Sequence, residues 1–250
     1  MGLKKSAAQE LDIIGVGKED KLPEDSDLII IATPISEIII TLNRLDKLLK
    51  TNTLVIDVGS TKQIICNHAG NLKNKNLVFV GTHPIAGREV SGFANSDPNL
   101  FVNKSWVVCP DPKINNKHID AVFAVIRILG GRPILMDPSQ HDKLVARASS
   151  LSLVTGSLLV KSVSSKDWEM IARLASTGFR DTTRLASFSP KIKTEIVSSN
   201  KNNILRTLNN LDKEIQNMRM LIEKDDWDKI ENYFIEAKEI RDNWLANYFS

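Results

Sequence analysis

Short, largely apolar runs alternate with helical patterns along the first half of the chain. Two helices are expected among the runs, at residues 36–49 and 112–130, and the second ends at paired glycines, as helices often do. Runs that are apolar on both faces are typical of a parallel sheet covered by helices on both sides. The pattern therefore predicts an α/β fold with a doubly wound parallel sheet. Its predicted strands are residues 28–32, 53–58, 77–80, 105–109 and 132–136.

The second half of the chain changes character at Asp137-Pro138, after which almost no strand signal remains. Helices are predicted at residues 142–163 and 166–175, and a last one from about Asp225. We predict two domains, residues 1–137 and an all-α domain of residues 138–250. A heptad seam, which serves either a dimer interface or a large intrachain bundle, is formed by Ile204, Leu208, Leu211, Ile215, Met218 and Ile222.

The start of the chain departs from the usual opening of a doubly wound nucleotide-binding fold. That opening is a strand, a glycine-rich turn and a helix whose N-terminus holds the pyrophosphate. Residues 13–18 are superficially similar, but Asp20 stands where a third glycine belongs, and only ten residues separate Gly17 from the next strand. We therefore predict that residues 1–137 form an incomplete Rossmann-like domain lacking its first β-α-β unit. Weak cofactor binding and reduced stability are expected to follow.

Composition and charge narrow the classes of function. A net charge of +3, with Lys and Glu interspersed, argues against binding to nucleic acid or to an anionic membrane. No apolar run is long enough to span a bilayer and the N-terminus is not a signal peptide, so a cytoplasmic protein is expected. Cys66 and Cys109 lack metal-type spacing, so we expect two reduced thiols and no metal.

Polar residues follow three of the predicted strands. Residues 32–34 (Ala-Thr-Pro) follow the first strand, Ser60 and Lys62 the second, and His83 the third. The carboxyl ends of parallel strands are where such sheets bind cofactors. Ser60 either caps a helix or offers its hydroxyl to a ligand. His83, held by Pro84, titrates near neutral pH and can take a proton from a substrate hydroxyl.

Together these motifs resemble those of the prephenate and arogenate dehydrogenase family. Residues 81–92 read Gly-x-His-Pro-x-Ala-Gly-x-Glu-x-x-Gly and residues 57–62 read Asp-x-Gly-Ser-x-Lys, which is the family's signature pair. Residues 179–184 (Phe-Arg-Asp-Thr-Thr-Arg) and His141-Asp142 are similar to two further motifs. The four occur in the family's order and cover the chain from about residue 25 to its end.

The resemblance implies oxidative decarboxylation of arogenate or prephenate, with hydride transfer to NADP (NAD is possible), giving tyrosine or 4-hydroxyphenylpyruvate. His83 is implied to remove the proton of the ring hydroxyl, Ser60 to support it, and Arg184 to bind a substrate carboxylate. Gly178 and Arg180 are implied to contact the substrate as well. The residues implied to bind the cofactor are Ala32, Thr33, Pro34 and Lys62.

Other family features concern the helical half. The resemblance implies a homodimer through the C-terminal helices and a structural role for Asp142. The family's Ser-His-Leu-Pro motif is replaced here: Ser150 stands for its histidine, and Leu153 stands where prephenate-using members often have a second histidine. An apolar residue there resembles the cyanobacterial-type, arogenate-using enzymes, which favours arogenate and NADP. The alternative is a non-catalytic, dimer-forming remnant without the phosphate-binding turn.

Overall fold

The computed structural model describes residues 26–87 and 95–248, and the superficially glycine-rich residues 13–18 lie outside them. Within the described residues, five strands form one sheet in the order β1-β2-β3-β4-β5. All five predicted strands are present, and the predicted fold class is confirmed. The strands are β1 Leu28–Ile31, β2 Thr53–Asp57, β3 Leu77–Pro84, β4 Ser105–Pro110 and β5 Arg132–Leu135.

The direction of strand β4 differs from the prediction of a parallel sheet. Strands β1, β2 and β3 are parallel, but β4 is antiparallel to β3, with His83 opposite Val107, and β5 is parallel to β4. Strand β3 also continues four residues beyond its predicted end, through Pro84, along β4. An apolar run buries the same side chains in either direction, so the pattern of β4 could not reveal its orientation.

Helices cover both faces of the sheet, as expected for a doubly wound fold. Helices α1 (Ile35–Leu48) and α2 (Gln63–Ala69) contribute to one buried cluster, and α3 (Asn116–Ile128) contributes to a second. The adjacent residues Val55 and Ile56 of β2 belong to opposite clusters, because successive strand side chains point to opposite faces. Both faces of the central strands are therefore buried.

A helical segment follows strand β5. Helix α4 (Pro138–Val145) starts at Asp137, whose Oδ1 accepts hydrogen bonds from the backbone N–H groups of Ser139 (2.8 Å) and Gln140 (3.0 Å). It continues through a π-helical turn, Ala146–Ser150, into α5. The later helices are α5 Leu151–Val163, α6 Trp168–Leu174, α7 Thr177–Thr183, α8 Pro190–Ser199, α9 Lys201–Glu223 and α10 Trp227–Tyr248, with a 3-10 turn at Arg184–Ser187.

The chain divides into two compact units, Met1–Lys201 and Asn202–Ser250. Helices α4 to α8 belong to the first unit together with the sheet; α8, for example, accepts a hydrogen bond at Glu195 from Ser36 of α1 (3.1 Å). The second unit is the helical pair α9 and α10, joined at Asp225, which has a φ of 52°. The domain boundary at residue 137 stays a prediction.

The continuous helical run Pro138–Val163 is long and apolar enough to cross a membrane by length and composition alone. Its most apolar 18-residue window has a mean hydropathy of 1.2, and core helices of soluble proteins reach such values too. The run is therefore weak evidence for a membrane span, and the expectation that no membrane is involved stays a prediction.

Candidate active site

The ends of the three parallel strands bring the predicted site residues to one edge of the sheet. Ala32, Thr33 and Pro34 are exposed directly after β1, and Pro34 is the N-cap of helix α1. Ser60 follows β2 and is half-buried, and His83 lies near the end of β3 and is partly buried. Residues 88–92 of the motif that contains His83 lie outside the described residues. This edge is where a doubly wound sheet binds its ligand.

The turn after β2 is organised by the buried carboxylate of Asp57. Its Oδ2 accepts a hydrogen bond from the backbone N–H of Gly59 (2.9 Å), and its Oδ1 accepts one from that of Thr82 (3.0 Å). A Cβ on Gly59 would lie 2.9 Å from both Oδ2 of Asp57 and Cδ1 of Ile38, so only glycine fits there. Close packing therefore requires glycine in this motif, and the turn carries Ser60 in a defined position.

Lys62 is the residue after β2 that the resemblance implied to bind the cofactor. Its side chain is fully buried, and its Nζ donates to Oδ2 of Asp57 in a buried ion pair. Its backbone N–H is also occupied, because it donates to Oδ1 of Asp142 (2.7 Å). The buried ion pair with Asp57 supports the turn that carries Ser60, and a contact between Lys62 and the cofactor stays a prediction.

Asp142 joins the helical segment to the start of helix α2. Its two carboxylate oxygens accept hydrogen bonds from the backbone N–H groups of Lys62 (2.7 Å) and Gln63 (3.0 Å), at the N-terminus of α2. Helix starts have such unpaired donors, and carboxylates commonly cap them. Asp142, rather than Ser60, therefore caps this helix, which leaves the hydroxyl of Ser60 for the other predicted role.

A chain of hydrogen bonds connects His83 to Asp142. Nδ1 of His83 lies 2.9 Å from Nε2 of His141, and Nδ1 of His141 lies 2.7 Å from Oδ1 of Asp142. His141 and Asp142 are both buried. The sequence placed His141 in a motif but gave it no role in the site. The sequence signal that could have placed His141 in the site is the adjacent His-Asp pair, which joins a titratable ring to a carboxylate.

The surroundings of His83 favour its neutral form. Burial lowers the pKa of His83 well below its usual 6.5, and the positive charge of Lys62 acts in the same direction. An imidazole that is neutral at neutral pH can accept a proton.

The two thiols near the turn are free but unreactive, because burial raises the pKa of Cys66 and of Cys109 to about 12.

The predicted substrate-binding residues lie on α7 and the 3-10 turn after it. Gly178, Arg180 and Arg184 are exposed, and Nε of Arg180 donates to Oδ1 of Asp181 (2.9 Å). This segment packs on α5 at Gly156, where a Cβ would lie 3.5 Å from the carbonyl oxygen of Thr182. The segment that carries these three residues thus packs on the helical run whose first part carries His141.

The substituted family motif lies inside the same helical run. Ser150 is buried at the end of the π-helical turn Ala146–Ser150, and Leu153 is buried one turn later. A π-helical turn within an α-helix often marks a functional position.

Across residues 26–87 and 95–248, no group of three or more His, Cys, Asp and Glu side chains is arranged to hold a metal ion.

Two family models match consecutive parts of the chain. The model of the prephenate dehydrogenase nucleotide-binding domain matches residues 2–135, and that of the prephenate dehydrogenase dimerization domain matches residues 137–236. The chain is 30% identical to the prephenate dehydrogenase of Bacillus subtilis (strain 168) over 222 residues. That match covers 88% of this chain but 60% of the relative, so the chain spans less than two thirds of its length.

Solved structures of the same family have the same fold. Prephenate dehydrogenase from A. aeolicus, in complex with hydroxyphenyl propionate and NAD+, superposes with a TM-score of 0.85 at 28% identity, covering 95% of this chain and 84% of that one. Synechocystis arogenate dehydrogenase gives a TM-score of 0.81 at 27% identity, covering 96% and 88%. These matches confirm the resemblance seen in the motifs: the chain belongs to the prephenate dehydrogenase family.

Proposed function

We propose that this chain oxidatively decarboxylates arogenate or prephenate with hydride transfer to a nicotinamide cofactor, giving tyrosine or 4-hydroxyphenylpyruvate. The observation that carries the proposal is the hydrogen-bonded chain from His83 through His141 to Asp142 at the end of strand β3. It gives a base at the strand-end edge where family members would place the substrate ring. Family membership supplies the class of reaction.

His83 acts as the base in this proposal. The imidazole of His83 is neutral at neutral pH. It takes the proton of the substrate's ring hydroxyl as hydride leaves the carbon that bears this hydroxyl. The nicotinamide, when bound, accepts that hydride. The carbonyl that forms is conjugated to the carbon bearing the carboxylate, so carbon dioxide leaves and the ring becomes aromatic. Ser60, presented by the Asp57 turn, supports the hydroxyl and His83.

Residues on α7 and the turn after it bind the acidic groups of the substrate. Arg184 takes a carboxylate, a role that suits the planar, bidentate guanidinium group. Gly178 and Arg180, exposed on the same segment, contact the substrate as well. The choice of arogenate over prephenate rests on Leu153, an apolar residue where prephenate-using members often have a histidine.

The cofactor is proposed to lie along residues 32–34. These residues are exposed at the carboxyl end of β1, beside the start of helix α1. Pro34 provides no side-chain cap, so the first amides of α1 are available to a polar ligand. NADP is preferred to NAD by the same likeness to arogenate-using enzymes. Lys62 is proposed to take part as well, at the turn after β2 that its buried ion pair with Asp57 supports.

The chain is proposed to work as a cytoplasmic homodimer through its C-terminal helices. The match to a dimerization-domain model supports the dimer. Helix α10 supports it too, because none of its residues is buried although it carries Trp227, Phe234 and Trp244. A surface with large exposed apolar side chains such as Trp227 and Phe234 is usually covered in an oligomer.

An assay of the purified chain tests the function. Reduced nicotinamide is followed with arogenate and with prephenate, each with NADP and with NAD. We expect turnover in the chain, and a fall in kcat of about 10²-fold or more in His83→Ala, the usual contribution of a general base. The matched control is His68→Ala, which removes a histidine bonded to Asn43 on the surface and should leave turnover unchanged. A folded dimer without turnover would instead identify the chain as a non-catalytic remnant.

A further inference from the structure

We infer that His141 is a positioning residue that fixes the protonated nitrogen of His83, with Asp142 as its anchor. This inference rests on the proposed function, because it matters for turnover only if His83 is the base. It concerns a residue that lies behind the catalytic ring and is fully buried. Three polar groups in a row, joined at 2.9 Å and 2.7 Å, carry the argument.

The location of each proton follows from the chemistry of the three groups. A carboxylate only accepts hydrogen bonds, so Nδ1 of His141 must donate to Asp142. The inference requires a neutral His141, whose ring has one donor and one acceptor, so that its Nε2 accepts. Nδ1 of His83 therefore donates to it. The remaining nitrogen of His83, Nε2, is left without a proton and is the atom able to take one from a substrate.

The hydrogen bonds of Asp142 hold its carboxylate in place, and this fixes which nitrogen of each histidine ring is protonated. Besides His141, its carboxylate accepts the two backbone N–H groups that begin helix α2, and its main-chain oxygen accepts a hydrogen bond from Nδ2 of Asn200 (2.7 Å). The two histidine rings meet edge to face, with centroids 5.1 Å apart and an interplanar angle of 77°. A rigid anchor and a fixed ring geometry leave His83 one tautomer that satisfies every partner.

The bonds of His141 and Asp142 also hold helix α4 against the edge of the sheet that carries His83. Helix α4 contributes both His141 and Asp142. Asp142 bonds to the start of α2, which follows β2, and His141 bonds to His83 on β3. The same two side chains thus cap a helix and orient the base. Loss of the helix–sheet contact would release His83 from its tautomer.

Nitrogen-15 NMR of the histidine-labelled full chain tests the inference without requiring turnover. The chain has four histidines, so single variants assign each ring. We expect the proton of His83 on Nδ1 in the unaltered chain. In His141→Leu, which removes the acceptor, that preference should be lost, whereas in His141→Gln the amide oxygen should maintain it.

Kinetics of the same variants provide the second readout. We expect kcat to fall by about 10²-fold in His141→Leu with KM within about threefold of the unaltered chain, and His141→Gln to recover most of the loss. Asp142→Asn is a near-isosteric second variant that serves if His141→Leu does not fold. Asn has a single acceptor oxygen for the three donors that Asp142 accepts, so its hold on the Nδ1 proton of His141 should weaken and the preference of His83 for a proton on Nδ1 should be reduced.

The outcomes separate this inference from the proposed function. A proton on Nε2 of His83 in the unaltered chain, or an unchanged tautomer in both His141→Leu and Asp142→Asn, would overturn the role of His141. A tautomer that responds as expected in a chain without turnover would support that role and overturn the proposed function instead.

Discussion

At the scale of single residues, His83 shows how a fold adjusts an ordinary side chain to a task. Burial beside the Lys62 ammonium and the His141 ring lowers its pKa, so the neutral form prevails where a free histidine would begin to be protonated. The carboxylates of Asp57 and Asp142 lie close by, but each already accepts several hydrogen bonds from other groups. His83 is thereby available as a base over a wide range of pH.

This lowered pKa predicts the pH dependence of turnover. A base with a folded-state pKa below 6.5 stays unprotonated as pH falls toward that value. We expect kcat/KM to stay constant from about pH 8 down to 6.5 and to decline only at lower pH, in a profile measured with saturating cofactor. A decline that begins above pH 6.5 would contradict the assignment of His83 as the base.

Stability should depend on the same group. Because the unfolded chain binds a proton at His83 more readily than the folded chain does, its contribution to stability is complete above pH 6.5 and is lost as pH falls below it. Urea unfolding at about pH 7.5 and 5.5 measures the difference. In His83→Gln, which does not titrate, the acid-dependent loss should be smaller than in the unaltered chain.

At the scale of elements, the close packing of α5 against α7 and the 3-10 turn sets the position of the substrate-binding residues. Gly156 is buried, and a Cβ there would lie 3.5 Å from the carbonyl oxygen of Thr182 and 3.6 Å from the amide nitrogen of Ala186. Nζ of Lys193 on α8 also donates to the carbonyl oxygen of Ala186 (2.7 Å). Arg184 is therefore positioned by a tight helix contact rather than by a free loop.

A pair of substitutions at Gly156 tests this arrangement. Gly156→Ala adds one carbon at ordinary contact distance and improves helix propensity, so we expect the free energy of unfolding to rise by about 0.5–1 kcal/mol with unchanged KM. Gly156→Leu overfills the contact, which costs about 1–3 kcal/mol. It should displace the Arg184 segment and raise KM about tenfold. Equal KM values in the two variants would show that this contact does not position the substrate site.

At the scale of the whole molecule, uncovered apolar surface is concentrated on the last two helices. Ile215 and Ile222 of α9 are 53% and 51% exposed, and Trp227 and Phe234 of α10 are 60% and 59% exposed. Apolar side chains this large, gathered on two helices, mark an association surface in most soluble proteins. The exposed seam residues Ile215 and Ile222 fit the dimer interface that we propose, whereas Ile204 of the same seam is buried within the chain.

A charge placed on this surface should separate the subunits. We expect Phe234→Glu to produce monomers in sedimentation velocity at concentrations where the unaltered chain is a dimer, because a buried, unpaired carboxylate is costly at an interface. Asn232→Glu, on the opposite side of α10 and exposed, adds the same charge and should remain dimeric. Dimers in both variants would place the interface elsewhere.

The sequence by itself determined the elements and the family. Apolar runs located all five strands, and periodicity located the long helices to within a few residues, because both depend on local burial patterns. Motifs with glycine, histidine and proline at strand ends identified the edge of the sheet that carries His83 and Ser60. The reason for the glycines lies in tertiary packing, since an added Cβ would lie 2.9 Å from Ile38 at Gly59 and 2.5 Å from Cys66 at Gly81.

Only the tertiary structure decided the direction of β4, the burial of Lys62 and the contacts of His141. Each depends on groups far apart in the sequence: Lys62 and Gln63 bond to Asp142 about 80 residues later, and His83 bonds to His141 across 58 residues. A charged lysine after a strand looks the same in sequence whether it faces a cofactor or a buried aspartate. The physical reason is that hydrogen-bond partners and burial are set by how elements pack, whereas the elements themselves are set by local pattern.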